Sequence, residues 1–223
     1  MHIPVITVDG PSGSGKGTIS QSLAEALGWH HLDSGALYRL LAYAALQESI
    51  ALDDAPALAA LANRLQQRYR LPTPRHPEIL LDGEDVGDAL RSEDCGNAAS
   101  TVAALPEVRQ ALLQWQRHYR QSPGLVADGR DMGTVIFPDA DLKLYLVARP
   151  EVRALRRYNQ LKDKGINVDL AELVAAVETR DRRDSARQAS PLKPAEDALV
   201  VDNSDLDESE TLRLVLDAVH RVV

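Results

Sequence analysis

The chain has 223 residues, 44% of them hydrophobic and 26% charged, a balance typical of a globular protein with its own buried core. Its net charge of −8 argues against nucleic-acid binding through a basic surface. A single cysteine, Cys95, excludes an internal disulfide, and no apolar run reaches the ~20 residues of a membrane span. The N-terminal sequence has no signal-like pattern. We expect a cytoplasmic monomer with no nucleic-acid or membrane partner.

The first predicted elements are a strand, a glycine-rich loop and a helix. Residues 4–9 (PVITVD) are apolar and β-branched with almost no polar alternation, which is typical of a strand buried on both faces in a parallel sheet. The loop GPSGSGKGT (10–18) follows, and apolar residues then repeat at helical spacing over 19–27. Gly28 stands where a helix C-terminal cap is expected. This order is the opening unit of an α/β fold.

Strands and helices continue to alternate along the chain. A short apolar stretch (29–32) leads through Asp33-Ser34-Gly35 into a helical pattern at 36–47. Later strands are predicted at 125–127, 142–148 and 199–201, with a closing helix from about Glu208. This alternation predicts an α/β fold with a doubly wound parallel sheet.

The segment 63–97 departs from this alternation, within what we expect to be a single domain over 1–223. It contains Pro72, Pro74 and Pro77, followed by the sequence EILLDGEDV. Asp82-Gly83 within that sequence is a favourable turn pair for a β-hairpin. We predict an inserted β-containing subdomain here.

The segment 150–187 also departs from the alternation of strands and helices. It contains two helical patterns joined near Gly165, and we predict that it forms a helical lid. Over 149–187 there are ten Lys or Arg residues and seven Asp or Glu residues. Arginine's planar group suits phosphate oxygens, so this cluster is compatible with a local anion site. It is equally compatible with a solvated, ion-paired helical face.

The glycine loop is the strongest chemical signal. Its glycines leave room for backbone N–H groups to surround phosphate oxygens, and the positive end of the next helix dipole faces the anion. The lysine can reach the β- and γ-phosphates. A buried strand before the loop and a periodic helix after it disfavour a flexible Gly/Ser turn. The predicted ATP-binding residues are Gly10, Pro11, Ser12, Gly13, Ser14, Gly15, Lys16, Gly17 and Thr18.

Magnesium has two candidate contacts. The usual loop has Ser or Thr directly after the lysine, whereas this chain has Gly17 there, so Thr18 is the nearest hydroxyl. Asp128 follows the predicted strand at 125–127 and can hold Mg²⁺ through water. A turn-forming Asp before Gly129 is an equally good interpretation. No dedicated protein cage for a metal is expected, and the expected cofactors are ATP and Mg²⁺.

Several motifs resemble known kinases. GKGT in place of GKS or GKT is similar to the nucleoside monophosphate kinases. Four further segments resemble bacterial cytidylate kinases in order: LDSGALYR (32–39), NAAS..AA.P.VR (97–109), DGRDMGTVIFPDA (128–140) and RDRRDSAR (180–187). The resemblance covers the whole chain, including the LDGEDV hairpin. It implies a P-loop kinase that transfers the ATP γ-phosphoryl group to CMP or dCMP, with 63–97 as an acceptor-binding insertion.

The resemblance also implies an acceptor site. From the residues themselves, Ser34 lies at a strand-to-helix junction able to hold a phosphate, and Arg39 lies one turn beyond Gly35. Asp131 can accept a hydrogen bond from the exocyclic amino group that distinguishes cytosine from uracil. The implied CMP-binding residues are Ser34, Tyr38, Arg39, Ser100, Arg109, Asp128, Gly129, Arg130, Asp131, Arg180, Asp184 and Arg187.

The lid segment carries the remaining candidates. Arg180, Asp184 and Arg187 share one helical face, which is often only an ion-paired surface. The resemblance implies instead that the two arginines reach phosphates when the lid closes, with Asp184 near the acceptor ribose. Arg157 is expected to contact the donor. The implied catalytic residues are Lys16, Arg130, Arg180 and Arg187.

Two other functions are compatible with the glycine loop alone. One is a kinase for a different small acceptor, such as a uridylate, adenylate or shikimate kinase. The other is a regulatory, GTPase-like nucleotide-binding module. Such modules usually carry an Asn-Lys-x-Asp run that reads guanine, and this sequence has none.

Overall fold

We describe a computed structural model of the chain, which covers residues 2–70, 78–163, 165–186 and 190–222. Pro72, Pro74, Pro77 and Arg187, all named in the sequence predictions, lie outside the described residues. The described chain divides into two compact units. The first consists of Met1–Asp33 with Tyr119–Val223, and the second of Ser34–His118.

The elements follow one another as strands and helices from the N-terminus to the C-terminus. Up to residue 68 they are β1 (Val5–Asp9), α1 (Lys16–Leu27), β2 (His30–Asp33), α2 (Ser34–Gln47) and α3 (Ala55–Arg68). Next come β3 (Tyr69–Arg70), β4 (Leu80–Leu81), β5 (Glu84–Asp85), α4 (Gly87–Arg91), α5 (Glu93–Val102) and α6 (Pro106–Arg117). The chain continues with β6 (Leu125–Gly129), a π-helical turn (Met132–Ile136), β7 (Leu142–Val147), α7 (Pro150–Asp163), α8 (Leu170–Ser185), β8 (Leu199–Asp202) and α9 (Glu208–Val219).

A parallel sheet organises the first unit. Among the described residues its strand order is β2-β6-β1-β7-β8, and all neighbouring pairs are parallel. Every residue of β1 and of β6 is buried, as expected for central strands covered on both faces. In this order the chain runs from β1 toward the edge formed by β2, and later from β6 toward the opposite edge, where β7 and β8 lie. The carboxyl ends of these strands therefore form the switch point at which such sheets bind ligands.

The core of the first unit explains why these segments fold as they do. Ile6 and Val8 from β1 pack with Ile19 and Leu23 from α1 and with Val215 from α9. The predicted helix at 19–27 is confirmed, and it ends at Gly28, whose φ of 66° is favourable for glycine. The N–H groups of Gly28 and the next residue bond to carbonyls of the last turn. The helix thus presents one apolar face to the sheet and begins at the glycine loop.

The second unit consists of helices with a small antiparallel sheet, β3-β4-β5. The predicted hairpin is confirmed, because β4 and β5 are joined by Asp82 and Gly83 with φ of 51° and 90°. Arg68 donates to both carboxylate oxygens of Asp82, at 3.0 Å and 2.7 Å, and holds the turn against the end of α3.

The end of helix α3 can be compared with the predicted start of the inserted segment at residue 63. The helix reaches Arg68, so the predicted lower bound at residue 63 falls inside a helix and the β-structure begins at β3. The sequence carried the signals for this helix: Asp54 caps its N-terminus, and its buried positions Leu58, Leu61 and Leu65 repeat at helical spacing.

Candidate active site

The glycine loop forms a tight connection between β1 and α1. Gly10 has a φ of 153°, and a Cβ at this position would lie 2.2 Å from the carbonyl oxygen of Leu146, so no other residue fits. Gly15 has a φ of 84° and stands at the N-cap of α1 without a side-chain cap. Because glycine has no side chain, the residue at the N-cap accepts no hydrogen bond from the first N–H groups of α1. A loop of this kind can bind an anion at the positive end of the helix dipole.

Lys16 begins α1 and points back over the loop. Its Nζ donates to the carbonyl oxygen of Pro11 at 3.1 Å. The pKa of Lys16 is lowered from 10.5 to about 7, chiefly by burial. The positive charges of Arg130 and Arg180 contribute to this lowering, and the carboxylates of Asp128 and Asp33 oppose it. Three cationic side chains therefore share the electrostatic environment of the loop, and a bound polyanion would favour the charged form of Lys16.

The segment after β6 lies at the same sheet edge. The buried Asp128 accepts a hydrogen bond from Nε2 of His31 at 3.0 Å. Burial lowers the pKa of His31, but the hydrogen bond and charge of Asp128 outweigh it and raise that pKa. Arg130 donates from Nε to the buried Asp184 of α8 at 3.1 Å, and Asp131 is buried beside the π-helical turn. The segment after β6 and helix α8 thus meet at this edge of the sheet.

Asp9, which the sequence analysis did not single out, joins the glycine loop to the segment after β6. It is the last residue of β1, and its carboxylate accepts hydrogen bonds from the backbone N–H groups of Met132 and Gly133, both at 2.8 Å. Burial raises the pKa of Asp9 from 3.8 to about 7 despite these two bonds. A short acidic side chain at the end of a buried strand was the only sequence signal for this role.

We expect Asp9→Asn to destabilise the fold by about 1–3 kcal/mol, because an amide NH₂ would face a backbone N–H and leave it unsatisfied. The folded pKa of Asp9 lies above its unfolded value. The stability that the protonated acid contributes is therefore complete below about pH 4 and lost as the pH rises to about 7. In urea unfolding, the gap between wild type and variant should narrow over that range. A gap that widens with pH would contradict this assignment.

Helix α7 contributes three arginines with different contacts. Arg153 is buried, pairs with Asp181 of α8 and donates to the carbonyl oxygen of Ser12 at 3.0 Å. Arg156 donates to the carbonyl oxygen of Ser14 at 3.3 Å. Arg157, the sequence candidate for donor contact, donates to Gln160 on its own helix at 3.3 Å. Arg153 and Arg156 therefore contact the glycine loop directly. Helical periodicity alone does not show which arginines of α7 make such contacts.

The candidates in the second unit fall into two groups. Arg39 donates to the carbonyl oxygens of Leu90 at 2.6 Å and Ser92 at 3.1 Å, where α4 meets α5. A Cβ at Gly96 would lie 3.0 Å from the guanidinium of Arg39. The lack of a side chain at Gly96 therefore lets this guanidinium pack closely against α5.

Tyr38 and Arg109 form the second group, with the guanidinium 5.7 Å from the ring centroid, a cation–π geometry. Ser100 is buried on α5. Ser34, expected at a phosphate site, donates its hydroxyl to Oε1 of the fully buried Gln116 at 2.7 Å. Gln116 was missed by the sequence analysis, because its partner lies 82 residues away.

The described residues include neither a membrane-spanning helix nor a cluster of metal-binding side chains. None of the described helices is long and apolar enough to cross a membrane. Over the same ranges, no group of three or more His, Cys, Asp or Glu side chains could hold a metal ion.

Comparison with known proteins identifies the family. A family model described as cytidylate kinase matches residues 6–221. The cytidylate kinase of Shewanella sp. (strain MR-4) is 53% identical over 219 residues, covering 98% of this chain and 95% of the relative. That of Methylococcus capsulatus (strain Bath) is 54% identical over 217 residues and covers 97% of each chain.

A solved structure of an uncharacterized protein from Eubacterium ventriosum matches 97% of this chain and 98% of its own with a TM-score of 0.50 and 11% identity, a likeness of fold alone. The predicted α/β fold with a doubly wound parallel sheet is confirmed. The family model spans almost the whole chain, and the relatives share more than half of its residues over nearly their full length. The chain belongs to the cytidylate kinase family.

Proposed function

We propose that this protein is a nucleoside monophosphate kinase that transfers the γ-phosphoryl group of ATP to CMP or dCMP, giving ADP and CDP or dCDP. The observation that carries the proposal is the shared environment of Lys16, Arg130 and Arg180 beside the uncapped start of α1. Arg130 and Arg180 lie close enough to Lys16 to lower its pKa, and three neighbouring cations indicate a site for several negative charges. Phosphoryl transfer depends mainly on positioning and on neutralising such charge.

The donor would bind at the glycine loop. Backbone N–H groups of residues 10–18 would surround the β- and γ-phosphates, and Lys16 would neutralise charge that develops on the transferring group. Arg157 is proposed to contact the donor from α7. Arg180, together with Arg187, is proposed to stabilise the transferring group from the lid segment. An arginine in such a role contributes about 10³–10⁵ in rate in related enzymes.

The acceptor would be held by its phosphate and its base. Arg130 is proposed to bind the CMP phosphate, with Asp184 fixing the guanidinium as it does here at 3.1 Å. Asp131 would accept a hydrogen bond from the cytosine amino group. The acceptor roles of Ser34, Tyr38, Arg39, Ser100 and Arg109 rest on the family resemblance. A phosphate acceptor is mostly ionised near neutral pH, since its second pKa is about 6, so no general base is needed.

Magnesium fits the chemistry of this edge of the sheet. Mg²⁺ keeps several waters and is usually held by one or two carboxylates together with substrate phosphates. The buried Asp128 is such a carboxylate, its orientation is fixed by His31, and its register partner across the β2–β6 pair is Asp33. Asp128 or Thr18 would hold the ion, which neutralises donor charge when bound. We further propose that the enzyme acts as a cytoplasmic monomer.

An acceptor panel tests the proposal directly. With ATP as donor, we expect CMP and dCMP to support ADP formation with kcat/KM about 10²-fold or more above AMP, and shikimate to support none, since buried groups that pair with one base reject another. Reactions without acceptor should give only background ADP, because transfer to water must be suppressed. Multiple-turnover ADP release that does not depend on CMP or dCMP would contradict the proposal.

A further inference from the structure

Side chains outside the glycine loop hold two of its carbonyl groups. Asn203, just after β8, donates from Nδ2 to the carbonyl oxygen of Ser14 at 2.8 Å. Arg156 donates to the same oxygen at 3.3 Å, and Arg153 donates to the carbonyl oxygen of Ser12 at 3.0 Å. The loop conformation is therefore determined by α7 and by the β8–α9 connection as well as by its own glycines.

The direction of these carbonyls determines where the loop N–H groups point. A peptide unit is planar and trans, so the C=O of one residue and the N–H of the next point in opposite directions. Holding the Ser14 carbonyl toward Asn203 turns the N–H of Gly15 to the other side of the loop. The contact of Arg153 with Ser12 does the same for the N–H of Gly13. These are backbone donors of the loop proposed to surround phosphate.

Asn203 is suited to this contact because it is itself fixed. It is 2% exposed, and its backbone N–H donates to the carbonyl oxygen of Val147 at 2.9 Å. Its backbone oxygen accepts from Nη2 of Arg156 at 2.8 Å, and its side-chain oxygen accepts from Nη1 at 3.3 Å. One end of the amide must accept from a guanidinium while the other donates to a carbonyl. An amide side chain meets both requirements, and a carboxylate meets only the first.

We propose that Asn203 is a positioning residue for the triphosphate of the donor: it orients the Ser14–Gly15 peptide so that the loop presents its N–H groups to phosphate. This inference rests on the proposed function, because it assumes that the loop binds ATP. It assigns no contact between Asn203 and the nucleotide. Its effect should therefore appear in donor binding and leave acceptor binding unchanged.

The test is Asn203→Asp, which keeps size and shape but places a carboxylate oxygen against the Ser14 carbonyl. We expect the KM for ATP to rise about tenfold, in line with the loss of a buried hydrogen bond and its replacement by repulsion. The KM for CMP should change less than twofold. The dissociation constant of ATP, measured by calorimetry on the protein without acceptor, should rise by the same factor as the KM.

Two further variants separate positioning from stability. Asn203→Ala leaves Arg156 on the Ser14 carbonyl and should raise the KM for ATP in the same direction but less, which covers the case in which the Asp variant does not fold. Asp207→Ala removes the capping box of α9 in the same region without touching the loop. It should lower the melting temperature and leave both KM values as in wild type.

The outcomes distinguish the inference from the proposed function. A wild-type protein that forms no ADP with any monophosphate acceptor would overturn the proposed function. Wild-type activity combined with an unchanged KM for ATP in both Asn203 variants would overturn the positioning role alone. A fall in kcat with both KM values unchanged would also overturn it, since that pattern indicates only a smaller folded fraction.

Discussion

Lys16→Met should retain the fold and lose phosphoryl transfer by at least about 10²–10³-fold in kcat, the loss expected on removing one charge-stabilising donor from a preorganised site. Methionine keeps most of the length of the side chain while removing the ammonium group that donates to the carbonyl oxygen of Pro11 within the loop. The measurement is steady-state ADP formation with ATP and CMP. Near-normal turnover in this variant would contradict the assignment of the loop.

The same substitution should stabilise the protein in the absence of nucleotide. The pKa of Lys16 is about 7 in the folded protein, against 10.5 for a lysine exposed to water in the unfolded chain, so the ammonium is more costly in the folded than in the unfolded state. Between pH 7 and pH 10.5 the unfolded chain binds more protons at this site, and wild-type stability therefore rises with pH. The stability advantage of Lys16→Met should be greatest at or below pH 7 and shrink toward pH 10.

Lys143→Met is the matched control. Lys143 lies on β7, and its Nζ pairs with the exposed Asp197 at 2.9 Å. The substitution removes a lysine of the same unit but leaves the glycine loop intact. Transfer activity should stay within about twofold of wild type, because the ammonium of Lys143 pairs with Asp197 and not with a residue of the loop. A loss as large as that of Lys16→Met would mean that the assay responds to general damage.

The sequence predicted those parts of the fold that depend on local patterns. The strand before the loop, the helix that ends at Gly28 and the hairpin turn at Asp82-Gly83 each follow from side-chain periodicity or from a backbone conformation that favours glycine. The burial of β1 on both faces also follows, because its five residues show almost no polar alternation. Such signals lie within a few residues and need no tertiary partner.

The parts that were missed depend on partners far away in the chain. Asp9 acts through backbone N–H groups 123 and 124 residues further on, and Asn203 through a carbonyl 189 residues before it. Arg153 and Arg156 donate to carbonyl oxygens of the loop that lie more than 140 residues before them in the chain. Local spacing located the arginine-rich segment but contains no information on which of its members would contact the loop.

Asp131→Asn should weaken the preference for CMP over UMP by about 10–100-fold, the range expected when a hydrogen bond to a charged group is removed. The substitution keeps the shape of the side chain but replaces one acceptor oxygen with an NH₂ group. That group faces the amino group of cytosine unfavourably and can donate to the O4 of uracil. The kcat/KM for CMP should therefore fall while that for UMP stays constant or rises.

The local structure should tolerate this change. Asp131 precedes the π-helical turn without capping it through its side chain. Its negative charge contributes to the raised pKa of Asp9, so its removal relieves a repulsion between two buried carboxylates. The melting temperature should accordingly remain close to that of wild type or increase at pH 7. A large decrease would show that Asp131 has a structural role instead.

Asp139→Asn provides the comparison that makes the specificity result interpretable. Asp139 lies a few residues further along, is largely exposed, and pairs with Arg120 at 2.7 Å. Its neutralisation changes the net charge of the protein by the same amount, and the ratio of kcat/KM for CMP to that for UMP should not change. If Asp131→Asn leaves that ratio unchanged as well, the base is recognised by other residues, and Asp131 serves only to hold charge at the end of β6.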